Sequence, residues 1–397
     1  MLKLKLSLIL FYTLSVNIYS QPTVEDLDNP SPLVRSNALL QIYDLKLFEF
    51  ADELEVRIFA QPEPFMIDMY LRTLKEIESP NLYEITIQFM GIADDFANMN
   101  PPKDPLESKV MATDILFSFG DYSTANYVFE ILERDRPQIN EIALALLKEI
   151  ILNVPEHEQQ AKSELLYIVN NIPATTTGPE DFNRYNAVSY LSEIYGSEVQ
   201  ENVINLFRND PFMSVRSKCL KILFDLNYQD LNQLLKERLL VDSDWPLRIS
   251  IVDSLCKVFG EPSDLKAVID YQPNEPDETA KSLMGYSIDE FIPPKPASLN
   301  LLVKVTKLIS YVSEMYSYQW IANTLTRDYY ITKLNLLKRQ IESSRFRDAC
   351  TTVNNDLLPR IETDLTANNI TIESYKFLHY YCLYIKEDFP QGIQPCP

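Results

Sequence analysis

Glycine is scarce here: seven residues in 397, about a quarter of ordinary usage. Glycine supplies the positive φ angles on which tight hairpins and phosphate-cradling loops depend, so an all-β fold and a nucleotide loop are both poor fits. Histidine is nearly absent too. His157 stands in Pro155-Glu156-His157-Glu158, a polar turn, and His379 in Phe377-Leu378-His379-Tyr380-Tyr381, on or beside an apolar helix face. Neither has a second histidine four residues away, which a zinc-protease helix requires. No GxSxG, no GxxxxGK[ST] and no EF-hand loop occurs, and the acidic pairs Asp94-Asp95 and Asp242–Asp244 lack the alternating oxygen ligands of a calcium loop. The chain is expected to be no enzyme and to carry no cofactor or metal. Sugar-cleaving clefts stack rings on aromatics, and only Trp245 and Trp320 are present, although 23 tyrosines leave a glycan-binding face open. Positive charge is short: 36 basic against 57 acidic residues, a formal net of −21. Nucleic acid and anionic membrane would both repel such a surface, since neutralising phosphates takes clustered Lys and Arg.

Long apolar runs are confined to the start. Met1–Ser20 holds two lysines, an apolar core from Leu6 to Val16 and the small Ser20 before Gln21, the pattern of a cleavable signal peptide cut after Ser20. The run is shorter than the roughly 20 residues a span needs. A secreted, periplasmic or cell-surface location without membrane insertion is the expectation. Among the five cysteines no CxxC pair appears, so zinc-ribbon and thioredoxin-like sites lack their spacing. Cys350 and Cys382 fall on apolar faces of neighbouring segments and could bridge if close enough. Buried free thiols are the alternative.

What is abundant is helical periodicity, and it repeats. Pro32-Leu33-Val34-Arg35-Ser36-Asn37-Ala38-Leu39, Pro211-Phe212-Met213-Ser214-Val215-Arg216-Ser217-Lys218-Cys219-Leu220 and Trp245-Pro246-Leu247-Arg248-Ile249-Ser250-Ile251-Val252 share one frame. An apolar residue precedes an arginine, and a small or aliphatic residue follows three on, with further apolar residues four and seven on: one helix face. Weaker copies start at Ile67, Lys109, Asn140 and Arg184, so starts fall roughly 31 to 44 residues apart, the period of two-helix repeats. A second apolar run follows each, in Phe50–Phe59, Tyr83–Ile92, Ala125–Leu132, Leu165–Val169, Val199–Phe207, Leu231–Leu240 and Leu265–Ile269. Asp104, Asp210 and the Ser263-Asp264 pair stand at helix starts as caps. This frame resembles HEAT repeats, whose first helix often carries an apolar–Arg pair, and the resemblance covers Val24 to Tyr271. It implies a right-handed α-α superhelix, an armadillo-like solenoid, with Arg35, Arg216 and Arg248 as structural positions bonding carbonyls or acids of a neighbouring repeat. Tyr70 departs from the frame where a small residue is the rule.

From Gln272 prolines dominate. Residues 21–291 are expected to form about seven helix pairs and a closing helix over Glu278–Phe291, with 292–297 as a proline-rich linker. A small C-terminal helical bundle over 298–390 follows, then a tail, 391–397. Its helices are predicted at Ser298–Tyr316, Tyr330–Ser343, Phe346–Thr363 and Ile372–Lys386. The run from Ile331-Thr332-Lys333-Leu334 through Ala349-Cys350 to Asn369-Ile370-Thr371 resembles the FIMAH-like module, an accessory unit of secreted bacterial hydrolases and surface proteins.

The expectation that follows is all-α and non-catalytic: an exported scaffold whose second helices line a concave face for a protein or peptide. Glu53, Glu55, Asp94, Asp95 and Glu237, on or near those helices, favour a basic partner. A polysaccharide-active or glycan-binding surface protein is the alternative.

Overall fold

The computed structural model describes residues 21–60, 66–136, 139–171 and 180–390. The expected signal peptide and tail, with Cys396, lie outside the described residues. The described residues are predominantly α-helical, with no strand among them. A lone antiparallel bridge joins Ile321 to Ile370.

The chain divides into two compact units, one up to Leu206 with Asp210–Lys218, the other Phe207–Asn209 with Cys219 onward. The first unit holds α1 (Val24–Leu27), α2 (Pro32–Leu45), α3 (Ala51–Ala60), α4 (Ile67–Glu76), α5 (Leu82–Ile92), α6 (Pro105–Ser118), α7 (Asn126–Arg134), α8 (Glu141–Asn153), α9 (Glu158–Asn171) and α10 (Glu180–Tyr195). Helices α11 (Gln200–Asn209) and α12 (Met213–Asp225) carry the chain across the division. Starts are set locally. Asp104 accepts from Leu106 N–H ahead of Pro105, and Asn140 accepts from Ile142 and Ala143 N–H, each satisfying donors that a helix leaves orphaned. With so little glycine, several helix ends place other residues in the left-handed region, among them Lys46, Glu78 and Asn227, at a conformational cost.

In the first unit successive helices from α3 to α10 pack on one another, α1 packs on α2, and along α2, α4, α6, α8 and α10 each also packs on the next of that series. Small residues make the close approaches: Ala38, Ala112, Ala143 and Ala187 are all buried, while in α4 the same place holds buried Tyr70. One apolar cluster runs through the first layers, with Leu39, Ile42, Leu54, Ile58, Leu71, Phe89 and Ile115 at its centre.

The second unit contains α13 (Leu231–Val241), α14 (Trp245–Ser254), α15 (Pro262–Tyr271), α16 (Glu278–Asp289), α17 (Leu301–Ser317), α18 (Thr324–Glu342), α19 (Phe346–Thr351), α20 (Leu358–Thr366) and α21 (Ile372–Glu387). A π-turn over Thr352–Leu357 joins α19 to α20. It widens the helix just ahead of Pro359, which has no N–H to give and would collide with a regular preceding turn. The start of α15 differs from expectation. Its cap is Glu261, and Asp264 closes the capping box from the third position by accepting from the Glu261 N–H at 3.0 Å.

The proline segment lies inside this unit. Tyr384 donates to the Pro293 carbonyl at 2.7 Å, Lys295 pairs with Glu387 at 2.7 Å, and the Pro294 ring rests on Gly260. Across the same region Lys307 pairs with Glu261 at 2.5 Å, and Lys376 caps the end of α16 through the carbonyls of Ile288 and Asp289. Helices on both sides of the prolines thus share one set of polar contacts.

Candidate functional site

The repeated arginines occupy equivalent places. Arg35, Arg216 and Arg248 each donate through Nη1 to the carbonyl six residues earlier, of Asn29, Asp210 and Asp242, at 2.5, 2.6 and 2.7 Å. Each thereby ties the turn before its helix to the helix itself. A second donation reaches forward: Arg184 Nε meets Asp210 at 2.6 Å, and Arg248 Nε meets Glu275 at 2.7 Å, all of them buried. These guanidiniums are consumed by acids and carbonyls of the chain itself, which leaves no open anion site at Arg184 or Arg248.

A further arginine row had no signature in the frame. Arg57, Arg134 and Arg238, on α3, α7 and α13, reach back 30 residues to Leu27 O, Asp104 Oδ1 and Arg208 O, at 3.2, 3.0 and 2.7 Å. Burial alone would raise the Asp104 carboxyl, but Arg134 and the Leu106 N–H hold it below its ordinary value.

The five carboxylates expected on the binding face do not converge. Glu53 pairs with Arg57 four residues on at 2.6 Å, Asp94 pairs with Lys109 at 2.6 Å, and Glu237 of the second unit accepts from Gln233 at 3.2 Å. Asp95 is exposed on a 3-10 turn. Glu55 lines a cavity. Its carboxylate is oriented by Ser79 Oγ and by Asn81 Nδ2 at 3.1 Å.

That cavity, of about 590 Å³, lies between α3 and α5, the second helices of the first two pairs. Val56, Phe59 and Ile85 supply its apolar wall, Glu55 and Glu84 its charge, and Asn81 and Gln88 its neutral polar groups. Val56 is 63% exposed and Glu84 is exposed. The arrangement offers apolar contact and two acceptors, one from each helix, which suits an aliphatic stem ending in a cation. Sequence periodicity alone could place these residues on one helix face but could not show which pair of helices leaves a gap.

The remaining chemistry is dispersed. His157 lies 5.5 Å from the Phe129 ring, whereas His379 stacks on Tyr375 at 5.0 Å with Nδ1 3.4 Å from Glu362. No group of three or more His, Cys, Asp or Glu able to hold a metal occurs among the described residues. No described helix is long and apolar enough to cross a membrane. The Cys350–Cys382 bridge, one of the two alternatives, does not form: Cys350 is disulfide-bonded, but Cys382 is a free thiol, as is Cys256. Cys382 is wholly enclosed in α21, where burial pushes its thiol up to about 12, so it packs as a small apolar residue.

Comparison with known proteins adds no relative: no family model matches the chain, and no match is found among curated proteins or solved structures.

Proposed function

We propose that this protein is an exported scaffold that binds a basic protein or peptide segment on its second helices, with the α3/α5 groove as a principal contact. One observation carries the reading: an open cavity of about 590 Å³ combines an apolar wall, with Val56 exposed on it, with two carboxylates, Glu55 and Glu84. The nearest-neighbour packing of the first unit supports it, because stacked helix pairs of the HEAT type build extended binding surfaces in this way. The net charge of −21 adds long-range attraction for a cation.

Fluorescence polarisation with a labelled peptide of alternating lysine and leucine tests it. Binding should weaken as salt rises, the Glu55→Gln/Glu84→Gln double variant should bind about three- to tenfold more weakly, and Val56→Asp should weaken binding through the apolar wall. Affinity that ignores both salt and these substitutions would contradict the proposal.

A second reading, glycan binding by the C-terminal helices, has one feature in its favour. The Tyr375–His379 stack stands beside Glu362, which accepts from Tyr375 OH at 2.9 Å and borders a shallow hollow of about 400 Å³ with Thr363 and Thr366. An aromatic pair beside hydroxyls and a carboxylate is chemistry that sugars accept.

A further inference from the structure

A second groove runs over a different set of helices in the first unit. Two cavities, of about 230 and about 260 Å³, lie along the first helices of the pairs. Leu39, Leu40 and Met69 line the first, between α2 and α4; Met111, Ile115 and Ile142, from α6 and α8, line the second together with the charged Lys75, Glu76 and Asp114. Tyr43 and Arg72 line both and so form the partition between them. Each cavity equals roughly eight water volumes, room for one large aliphatic or aromatic side chain. Leu40 and Tyr43 are 49% and 39% exposed, so the apolar surface is accessible. Two methionines give the walls an adaptable lining.

Arg72 is the feature that selects a ligand. Its neighbours on α4 are paired: Lys75 with Asp114 at 2.6 Å, and Glu76 with Lys46 at 2.8 Å. Elsewhere Arg57, Arg134, Arg184, Arg248 and Arg360 each sit against a carboxylate. Arg72 instead gives its Nε to the Met111 sulfur at 3.3 Å, and no described carboxylate pairs with it. Thioether sulfur is a weak acceptor, so the outer edge of an exposed guanidinium is left facing solvent between the two hollows, while the carboxylates Glu76 and Asp114 of the second are each met by a lysine, Lys46 and Lys75. A planar carboxylate is its best complement, bound by two parallel N–H···O bonds.

We infer that this groove docks an acidic, apolar peptide segment in which one Asp or Glu is flanked by two large apolar side chains. The carboxylate lies on Arg72 and the flanking side chains enter the two cavities. The preference is opposite to that of the α3/α5 groove, which favours a cation. The acidity of the whole chain opposes an anionic ligand at long range, so the contrast between matched charged and neutral peptides, not affinity alone, is the diagnostic quantity.

The test uses the full chain and fluorescein-labelled peptides with two leucines separated by one, two or three residues, carrying glutamate between them, each matched by a glutamine version. At least one glutamate peptide should bind five- to tenfold more tightly than its glutamine twin. Arg72→Gln should abolish that ratio, Arg72→Lys should retain part of it, and Leu40→Asp should remove binding of both twins. Arg72 is exposed, and an unchanged thermal unfolding midpoint in Arg72→Gln shows that its effect is local. The Glu55→Gln/Glu84→Gln variant should leave the ratio intact; if it removes the ratio instead, the peptides occupy the other groove and this inference fails while the first survives. Ratios below twofold for every spacing, or a ratio that persists in Arg72→Gln, overturn it.

Discussion

Arg248 makes donations in two directions, back to the Asp242 carbonyl and forward to the Glu275 carboxylate, and so fastens three successive stretches of chain. Glu275 is nearly inaccessible, and burial alone would raise its carboxyl. Hydrogen bonds from Arg248 and from the Asp277 N–H nevertheless hold it below the ordinary 4.5. A folded-state value below the unfolded one means that the pair's contribution is complete above about pH 4.5 and is lost as pH falls through the folded value. Glu275→Gln strips the charge from a buried pair and should cost about 3 kcal/mol at pH 7. Its stability should also decline less than that of the wild type between pH 5 and the acid limit, read by urea unfolding at each pH. Buried Asp264 acts in the opposite sense: desolvation lifts its carboxyl despite Lys236 and Asn232, so protonation relieves it as pH falls. Because Asp264 is common to both proteins, the difference between them isolates Glu275.

At the scale of elements, the helices were readable because their periodicity, caps and prolines agree. The second runs from Phe50–Phe59 to Leu265–Ile269 coincide with α-helices, three of them starting one residue ahead of the helix, at Phe50, Ala125 and Val199, and Asp104 caps where its place before Pro105 implies. Glu261 escaped notice because glutamate is an uncommon N-cap and Ser263-Asp264 beside it offered a more familiar choice. The Arg57, Arg134 and Arg238 donations were hidden for another reason: two of them end on backbone carbonyls, which every residue possesses. Gly260 shows what a single element end carries. It ends the π-turn over Leu255–Phe259 at φ +60°, and a Cβ there would run into the Pro294 ring. Gly120, at φ +79°, has open space around it. Gly120→Ala should therefore cost only the left-handed penalty of about 1–2 kcal/mol. Gly260→Ala should cost about 1–3 kcal/mol more through overpacking, visible as a larger drop in thermal midpoint.

For the whole molecule, composition settles the class and little of the site. Few glycines and strong helical periodicity lead to an all-α chain, and an all-α chain is found. The grooves were not legible, because they depend on which apolar side chains neighbouring helices leave uncovered. Val56, Leu40 and Tyr43 follow the same periodicity as buried Leu54 and Ile42 and differ from them only in what packs above. Glu55 was legible as an acid on a second helix; Glu84, its companion across the groove, was not singled out. Arg72 lay outside the repeated frame, and only the absence of an acid beside it in space marks it.

Hydrogen exchange of the full chain, with and without a saturating lysine–leucine peptide, tests the central claim most directly. Slowed exchange is expected in residues 51–60 and 81–88, with little change over residues 358–387. Protection confined to residues 358–387, or none anywhere at saturation, would contradict the account.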